Sequence, residues 1–500
     1  MEFERVTPEQ VGVSSEHIQK YISVLERTQL ATHDIIMIRH GKVFFEKYWK
    51  PFHADYMHRM YSATKSFVSI AIGFLEQEGR IDLDAPAVSY LDKKMTDVAF
   101  DTVKHQTIRN MLMMSTGATA YTGQWFSRKP KDRLKDYFDQ TSPLKGGVSK
   151  IPGVFFEYDS QGSFVLGAIV ECITGMKLIE YLREKLFDKI GVSKEAYMLS
   201  CPGGHSWSDS ALVCKAMDLA RVCQFMVNKG SWNGEQILNR KYCEAATGNQ
   251  IDSNRVGHLT PSGYGYGYQF WRTRGNSFYF NGMGAQYAIG IPDQDMVFVI
   301  NSDNQGHPGA DLIIIDRFFE EIVEKVSTQP LPENKEAFNA LMEYTKDLKL
   351  YSLPQMTIST VAERVSGKEY TMKENPMGIT KMKFTFGDKE CRLDFTNAQG
   401  EKTLWFGMGE NVYGTFPQEG YAHQVATVYE PGHYLRCASS ARFTHENKME
   451  LLVQIIDEYF GRLYIRVAFL GDNTLAVLMQ KTAEDFLQEY EGYAEGTAKL

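Results

Sequence analysis

The sequence has few of the features that mark secreted, disulfide-linked or membrane-spanning chains. Its seven cysteines are odd in number and widely spread, without a C-x-x-C pair, which favours free thiols in a reducing compartment. No run approaches the roughly 18 apolar residues of a membrane span. The acidic start, MEFERVTPEQVGV, lacks the basic and apolar regions of a signal peptide. We therefore expect a cytoplasmic protein without a membrane span.

Acidic residues outnumber basic residues in the chain. The chain has 54 Lys and Arg residues against 62 Asp and Glu residues, a net charge of -8, and we find no run of five or six like charges. A basic stripe that would attract nucleic acid or anionic lipid is therefore absent. This balance favours a small-molecule or peptide substrate as the partner.

Patterns typical of metal and phosphate binding are missing as well. His53 and His58 are five positions apart, which places them on neither one helix face nor one strand face, and no cysteine or carboxylate motif joins them. The glycine-rich GYGYGYQFW (263–271) lacks the G-K-[ST] ending of a phosphate loop and precedes a strand. We expect no metal and no cofactor.

Strand and helix patterns in the first part of the chain predict an α+β domain. Two apolar runs flank a His-Gly turn in residues 34–49, and three more β-rich runs lie in residues 266–303. Segments of helical period lie between them, such as residues 66–79 and 163–175. Helices inserted between the two halves of one sheet predict an antiparallel five-stranded sheet flanked by helices.

The pattern changes after residue 326. Residues 327–338 have the proline and polar content of a linker, and from about residue 351 strand follows strand with regular turn residues. We predict a first domain over residues 1–326, a linker with a helical segment over 327–350, and an all-β barrel or sandwich of unassigned role over 351–500.

The pattern S-x-x-K occurs twice, about as often as chance predicts. Ser142 and Lys145 adjoin a proline and two glycines, which predicts a loop. Ser62 and Lys65 instead begin an apolar helix, where residues three apart share one face and the amine can reach the hydroxyl. The unpaired N–H groups of a first helical turn can bind an oxyanion. An N-cap serine and a solvated lysine explain this segment equally well.

A second segment, PGVFFEYDS (152–160), places Tyr158 after a Pro-Gly turn and just before a helical pattern. Ser160 follows two positions later. A phenol beside a lysine ammonium can move a proton between a nucleophile and a leaving group. Taken alone, one tyrosine among 27 is more often a packed surface aromatic.

Three segments together resemble the motifs of the serine β-lactamase and penicillin-binding-protein superfamily. YSATK (61–65), PGVFFEYDS and GMGAQ (282–286) are similar in order and spacing to its S-x-x-K, Y-x-N and K-T-G motifs. The likeness covers about residues 5–326 and is strongest to the class C-type branch of esterases, D-amino-acid peptidases and amide hydrolases. It implies a β-lactamase/transpeptidase-like fold and acyl-enzyme chemistry.

Carried over onto this chain, the resemblance implies a role for each matching residue. Ser62 is the acylated nucleophile, Lys65 its general-base partner, and Tyr158 the acid/base group for the leaving atom. The N–H groups of Ser62 and Ala285 are the implied oxyanion hole.

The chain departs from the superfamily pattern in its substrate-binding positions, which are Ser160, Gly282, Met283 and Gly284. Ser160 stands where the pattern has Asn and lacks its amide. Gly282 and Met283 replace the lysine and the hydroxyl residue of K-T-G, while two glycines allow a substrate to approach the backbone. Losing a charge-assisted contact to a substrate carboxylate costs about 1.5–3 kcal/mol, so we expect poor β-lactam hydrolysis.

Three functions remain open at this point. The first is a serine hydrolase that cleaves an ester or amide, such as a D-amino-acid-containing peptide or a small ester, through an acyl-enzyme on Ser62. The second is a true β-lactamase or D,D-peptidase. The third is a catalytically inactive binding protein on the same scaffold, which Ser160 and the unassigned β-rich domain would fit.

Overall fold

A computed structural model of the protein describes residues 2–119, 130–145, 148–253, 261–419, 432–484 and 486–498. Its contacts divide the chain into two compact units, the first running to Lys349 and the second beginning at Leu350. Each unit has its own principal sheet.

The first unit is organised around a seven-stranded sheet in the order β1-β3-β2-β14-β13-β12-β11. Five long antiparallel strands form its centre, while β1 and β11 add two residues each at the edges. This confirms the predicted α+β class and the five-stranded antiparallel sheet. The strands of the first unit are β1 (Glu4–Arg5), β2 (Thr32–Arg39), β3 (Lys42–Tyr48), β4 (His58–Arg59), β5 (Ala118–Thr119), β6 (Val148–Ser149), β7 (Tyr197–Met198), β8 (Leu212–Cys214), β9 (Ser231–Trp232), β10 (Glu235–Gln236), β11 (Trp271–Arg272), β12 (Phe278–Gly282), β13 (Gln286–Ile291) and β14 (Met296–Ser302).

Helices cover both faces of this sheet. On one face, Phe298 of the sheet stacks on Phe318 with ring centroids 4.1 Å apart, and Tyr21 meets both rings edge-on. On the other face, Phe67 packs edge-on against Phe280. The helices of the first unit are α1 (Ser15–Arg27), α2 (Thr64–Gln77), α3 (Lys93–Thr96), α4 (Asp101–His105), α5 (Ile108–Leu112), α6 (Arg133–Gln140), α7 (Ser160–Thr174), α8 (Leu178–Leu182), α9 (Asp188–Ile190), α10 (Ala216–Val227), α11 (Arg240–Thr247), α12 (Ala310–Glu321) and α13 (Lys335–Tyr344).

Helices α2 and α7 form the buried centre of the helical layer. Thr64 to Leu75 of α2 and Gln161 to Glu171 of α7 are buried, because apolar and small side chains surround both axes. Among the described residues no single helix is long and apolar enough to cross a membrane, and only the pair Ser160–Thr174 and Leu178–Ile190, bent by 72°, reaches that length and composition together.

Residues 327–349, for which the sequence suggests a linker with a helical segment, pack within the first unit. Helix α13 is capped by Asn334, whose side chain accepts a hydrogen bond from the Ala337 amide at 3.0 Å. Leu341 and Leu348 join the hydrophobic core that also contains residues of α1. The segment is therefore held by apolar side chains that a free linker would expose to water.

The second unit is a closed nine-stranded β-barrel, one of the two architectures predicted for it. Strands β18-β17-β16-β15-β24-β23-β22-β21-β20 follow in that order, and a short parallel pairing of β18 with β20 closes the ring. Its elements are α14 (Val361–Val365), β15 (Glu369–Met372), β16 (Lys381–Phe386), β17 (Glu390–Asn397), β18 (Gly400–Met408), β19 (Val412–Glu419), β20 (Tyr434–His445), β21 (Lys448–Ile456), β22 (Phe460–Phe469), β23 (Thr474–Ala483) and β24 (Gly492–Ala498).

A buried polar group links the sheet of the first unit to the short strand β4. Asp34 accepts hydrogen bonds from the Asn301 side chain at 3.0 and 3.2 Å, and its Oδ2 lies 3.6 Å from Nε2 of His58. Burial raises the pKa of Asp34 to about 7 and lowers the pKa of His58 to about 3. Because burial penalises both charged forms, the two groups meet as neutral partners between about pH 3 and about pH 7.

These two pKa shifts predict opposite effects of pH on stability. The contribution of Asp34 to the free energy of unfolding is full below pH 3.8 and is lost as the pH rises toward about 7, because the folded state keeps a proton that the unfolded chain releases. The contribution of His58 is full above pH 6.5 and is lost as the pH falls toward about 3. The two slopes cancel between about pH 4 and about pH 6.5.

We expect the substitution Asp34→Asn to remove this cancellation. The unfolding free energy of the variant, minus that of the unaltered protein, should rise by about 1.4 kcal/mol per pH unit between about pH 4 and about pH 7. Urea unfolding at several pH values measures this difference. The exposed Asp347→Asn is the matched control, and a pH-independent difference for Asp34→Asn would contradict the assignment.

Candidate active site

The structure brings Ser62 and Lys65 into direct contact. Nζ of Lys65 donates a 2.9 Å hydrogen bond to Oγ of Ser62. Lys65 is 2% exposed, whereas Ser62 is half-buried. Ser62 lies in a single 3₁₀ turn, Tyr61–Ala63, that leads into α2, so it stands just before the α-helix and not inside its first turn.

Tyr158 lies beside the same lysine. Nζ of Lys65 is 5.2 Å from the centroid of the Tyr158 ring, and that ring stacks on Trp271 with centroids 5.6 Å apart. The next residue, Asp159, caps α7 by accepting a 2.9 Å hydrogen bond from the Gly162 amide. The cap explains why the chain leaves the loop and enters the helix directly after the tyrosine.

Ser160, predicted at the position of the superfamily Asn, is the first residue of α7. It is half-buried, and its hydroxyl makes no hydrogen bond within the part of the chain that the structure describes. A contact from Ser160 to the lysine is therefore not part of this geometry.

Residues 282–286 connect β12 to β13, at the end of these strands that approaches Met60, two residues before Ser62. A Cβ atom on Gly282 would lie 2.2 Å from the main-chain oxygen of Met60, so only glycine allows this approach. Gly284 adopts a φ of +81°, and its carbonyl oxygen accepts hydrogen bonds from the Ser302 hydroxyl at 2.6 Å and the Asn304 amide at 3.0 Å.

The geometry contradicts the predicted oxyanion role of Ala285. Its N–H donates to the Gly282 oxygen at 3.1 Å, inside a four-residue turn whose third residue, Gly284, has a φ of +81°. The main-chain oxygen of Met283 accepts a 3.0 Å hydrogen bond from the Gln286 side chain. Among the described residues nothing accepts the N–H of Met283, and its side chain is partly exposed.

Asp209 is a site residue that sequence reasoning missed. Its carbonyl oxygen accepts a 2.6 Å hydrogen bond from Nζ of Lys65, and its side chain is completely buried. Burial raises the pKa of Asp209 to about 6, against the lowering effect of Lys65, Arg133 and Arg59. The surrounding SWSDSA segment reads as an ordinary polar loop, so no sequence signal could have revealed the residue.

The second copy of S-x-x-K forms no such pair. Ser142 is buried and accepts a hydrogen bond from the Leu144 amide at 3.3 Å, while Lys145 is exposed. The segment contains a short 3₁₀ turn, Pro143–Lys145, where a loop was expected. Identical spacing thus gives a hydroxyl–amine contact at the start of α2 and none at residues 142–145.

Of the two histidines weighed as metal ligands, His58 is buried beside Asp34. His53 lies in the loop before β4, with its ring edge-on to Tyr56. Within the described ranges, no group of three or more His, Cys, Asp or Glu side chains is placed to hold a metal ion.

Comparisons with known proteins find a matching family model and several similar chains. A family model described as Beta-lactamase matches residues 25–317. A 6-aminohexanoate-dimer hydrolase from Paenarthrobacter ureafaciens is 26% identical over 234 residues, which are 44% of this chain and 58% of the relative. The chain therefore spans little more than half the length of this curated relative.

Two solved structures are similar in fold. A candidate 6-aminohexanoate-dimer hydrolase from Bacillus anthracis superposes with a TM-score of 0.51 at 21% identity, over 67% of this chain and 89% of the other. EstCE1, a hydrolase with promiscuous acyltransferase activity, gives a TM-score of 0.50 at 15% identity, over 61% and 98%. At these identities the likeness concerns the fold.

Substituting Gly282→Ala should disable the site while leaving the fold in place. The added Cβ would push the end of β12 away from the main chain of Met60, and a displacement of about 1 Å at reacting groups can lower a rate about a hundredfold. Labelling of Ser62 by a fluorophosphonate measures the loss. Gly414→Ala, whose Cβ meets no atom within 4 Å, is the matched control, and equal labelling of both variants would contradict the packing argument.

Proposed function

The chain belongs to the beta-lactamase family, and from that premise we propose that it is a serine hydrolase that cleaves an ester or amide through an acyl-enzyme on Ser62. The observation that carries the proposal is the 2.9 Å hydrogen bond between Lys65 and Ser62. A nucleophile within hydrogen-bond reach of a base that is itself oriented by a third group is the arrangement that activates a serine. Here the orienting groups are the carbonyl of Asp209 and the ring of Tyr158.

The proposed reaction has two stages. Oγ of Ser62 attacks the substrate carbonyl while Lys65 accepts the hydroxyl proton, and Tyr158 passes a proton to the departing oxygen or nitrogen. The bond from the carbonyl carbon to the leaving group then breaks and leaves an ester on Ser62. Water next attacks this ester and gives a proton to the Lys65–Tyr158 pair, so the acid product leaves and the serine regains its hydrogen.

The negative oxygen of the tetrahedral intermediate needs donors that face it. We assign this role to the N–H of Ser62, which precedes α2, and to the N–H of Met283 in place of Ala285. Support for Met283 comes from the engaged N–H of Ala285 and from the close approach of Gly282 to Met60, two residues before the nucleophile. Preorganised N–H groups of this kind are among the largest contributions to acyl-transfer catalysis.

The substrate we propose is uncharged at the end that meets the turn and apolar along one side. Gly282 and Met283 provide no cation for a carboxylate. Beside Tyr158, the half-buried rings of Phe156 and Trp271 lie with centroids 5.5 Å apart and give an aromatic wall. A linear amide with an aliphatic chain fits such a wall, and the 6-aminohexanoate dimers in the name of the relative share that aliphatic amide chain.

Replacing the nucleophile tests the proposal directly. We expect Ser62→Ala to lower hydrolysis of a reactive small ester by about 10⁴-fold or more and to abolish fluorophosphonate labelling, because among the described residues no other hydroxyl hydrogen-bonds to the lysine. Ser142→Ala, which alters the other S-x-x-K copy, should leave both measurements within about twofold. Retained turnover in Ser62→Ala would refute the assignment of Ser62, whereas absence of both turnover and labelling in the unaltered protein would leave a binding protein as the alternative.

A substrate panel separates the proposed function from a β-lactamase or D,D-peptidase. We expect kcat/KM for a chromogenic cephalosporin to fall about tenfold to a hundredfold below that of small esters and linear amides, because the carboxylate of the drug meets no cation at Gly282 or Met283. D-Ala-D-Ala substrates, which carry the same anion, should react as poorly. Cephalosporin turnover equal to or above that of the esters would reverse the preference.

A further inference from the structure

The carboxylate of Asp209 is a fully buried charge-bearing group near the proposed nucleophile, and the reaction described above does not use it. Asp209 lies in the loop before β8, with a side chain that is 0% exposed. No other residue that the structure describes donates a hydrogen bond to either carboxylate oxygen, and only the N–H of Asp209 itself favours the ionised form in this way. A buried carboxylate with so few hydrogen bonds is strongly disfavoured unless nearby positive charges stabilise it.

Three cations from three different elements supply that charge. Lys65 comes from α2, Arg59 from β4 and Arg133 from α6, and each favours the ionised form of Asp209. Both arginines are buried, and their guanidinium groups lie 5.9 and 5.6 Å from the ring of Trp207. The arginines therefore sit beside the loop that carries the aspartate.

The loop is held firmly at this point. Nε of Arg59 donates to the Ser210 oxygen at 2.9 Å, and its Nη2 donates to the Ser210 hydroxyl at 3.1 Å. The main-chain oxygen of Asp209 lies one residue away and accepts from Lys65 at 2.6 Å. Two other titratable groups belong to this environment: the Tyr158 ring faces Lys65, and the Cys201 thiol has its pKa raised by burial and by Asp209.

We propose that Asp209 is a positioning residue that controls when Lys65 can act as a base. Its carbonyl holds the amine against Ser62, and its carboxylate retains the positive charge on that amine, while Arg59 and Arg133 limit how strongly it does so. The inference rests on the proposed function. If Asp209 has this role, the pH at which Ser62 becomes reactive depends on a carboxylate that contacts neither Ser62 nor the substrate.

Removing the Asp209 carboxylate and removing a neighbouring arginine should have opposite effects on Lys65. Removing the carboxylate takes away an attraction for the proton on Lys65, so the base should become available at lower pH. Removing a neighbouring arginine strengthens the influence of the carboxylate on the lysine, so the base should become available only at higher pH. A purely structural role for the cluster would lower the rate or the stability without moving the pH dependence.

The experiment is the rate of Ser62 labelling by a fluorophosphonate between about pH 5 and about pH 10, followed by intact mass for the full chain. For Asp209→Asn we expect the midpoint of the pH–rate curve to move down by about one unit, and for Arg133→Gln we expect an upward movement of about half a unit. Asp347→Asn, an exposed carboxylate, is the control that should not move. Thermal unfolding of each variant reports whether the fold is retained.

The outcomes separate this inference from the function on which it rests. Absence of labelling in the unaltered protein overturns both. Labelling at Ser62 with an unmoved midpoint in a folded Asp209→Asn overturns the role of Asp209 alone. If Asp209→Asn does not fold, Arg133→Gln decides, since an upward shift supports the role and an unchanged or lowered midpoint overturns it.

Discussion

The burial of one lysine amine organises the candidate active site. Lys65 enters the interior on α2, where neighbouring side chains are almost all apolar, so its ammonium must find acceptors at short range. It donates to the Ser62 hydroxyl and to the Asp209 carbonyl. These two contacts connect the helix start to the loop before β8, and a buried ammonium without them would be strongly destabilising.

Close backbone approach is the second constraint on the site. The end of β12 reaches the main chain of Met60 only because residue 282 has no side chain. The carbonyl groups of the turn that follows accept hydrogen bonds from the Gln286 side chain, from the Ser302 hydroxyl on β14 and from the amide of Ala285. The same glycine that permits this contact leaves the turn without the cation that would attract a carboxylate. Gly282 therefore accounts both for the close approach to Met60 and for the proposed preference for substrates without a carboxylate at the turn.

The chain contains an α+β unit and an all-β unit, and the hydrophobic periodicity of the sequence indicated both. Alternating burial along β22, with Leu463, Ile465 and Val467 buried, is the period of a strand with one face on a core. Whether such strands close into a barrel or form a sandwich depends on a pairing between β18 and β20, about 30 residues apart. Local pattern therefore predicted the strands but not their closure.

The sequence by itself determined the α+β class and the five central strands, because hydrophobic period is a local property. It offered Ser62 and Lys65 as a pair but left a capping serine and a solvated lysine equally open, and the same spacing at Ser142 and Lys145 gives no contact. Tertiary structure decided the rest. Only the folded chain shows that the N–H of Ala285 is used inside its turn and that the Asp209 carboxylate lies buried near Lys65. Asp209 is 144 positions from that lysine, and no local pattern encodes a contact that long-range packing creates.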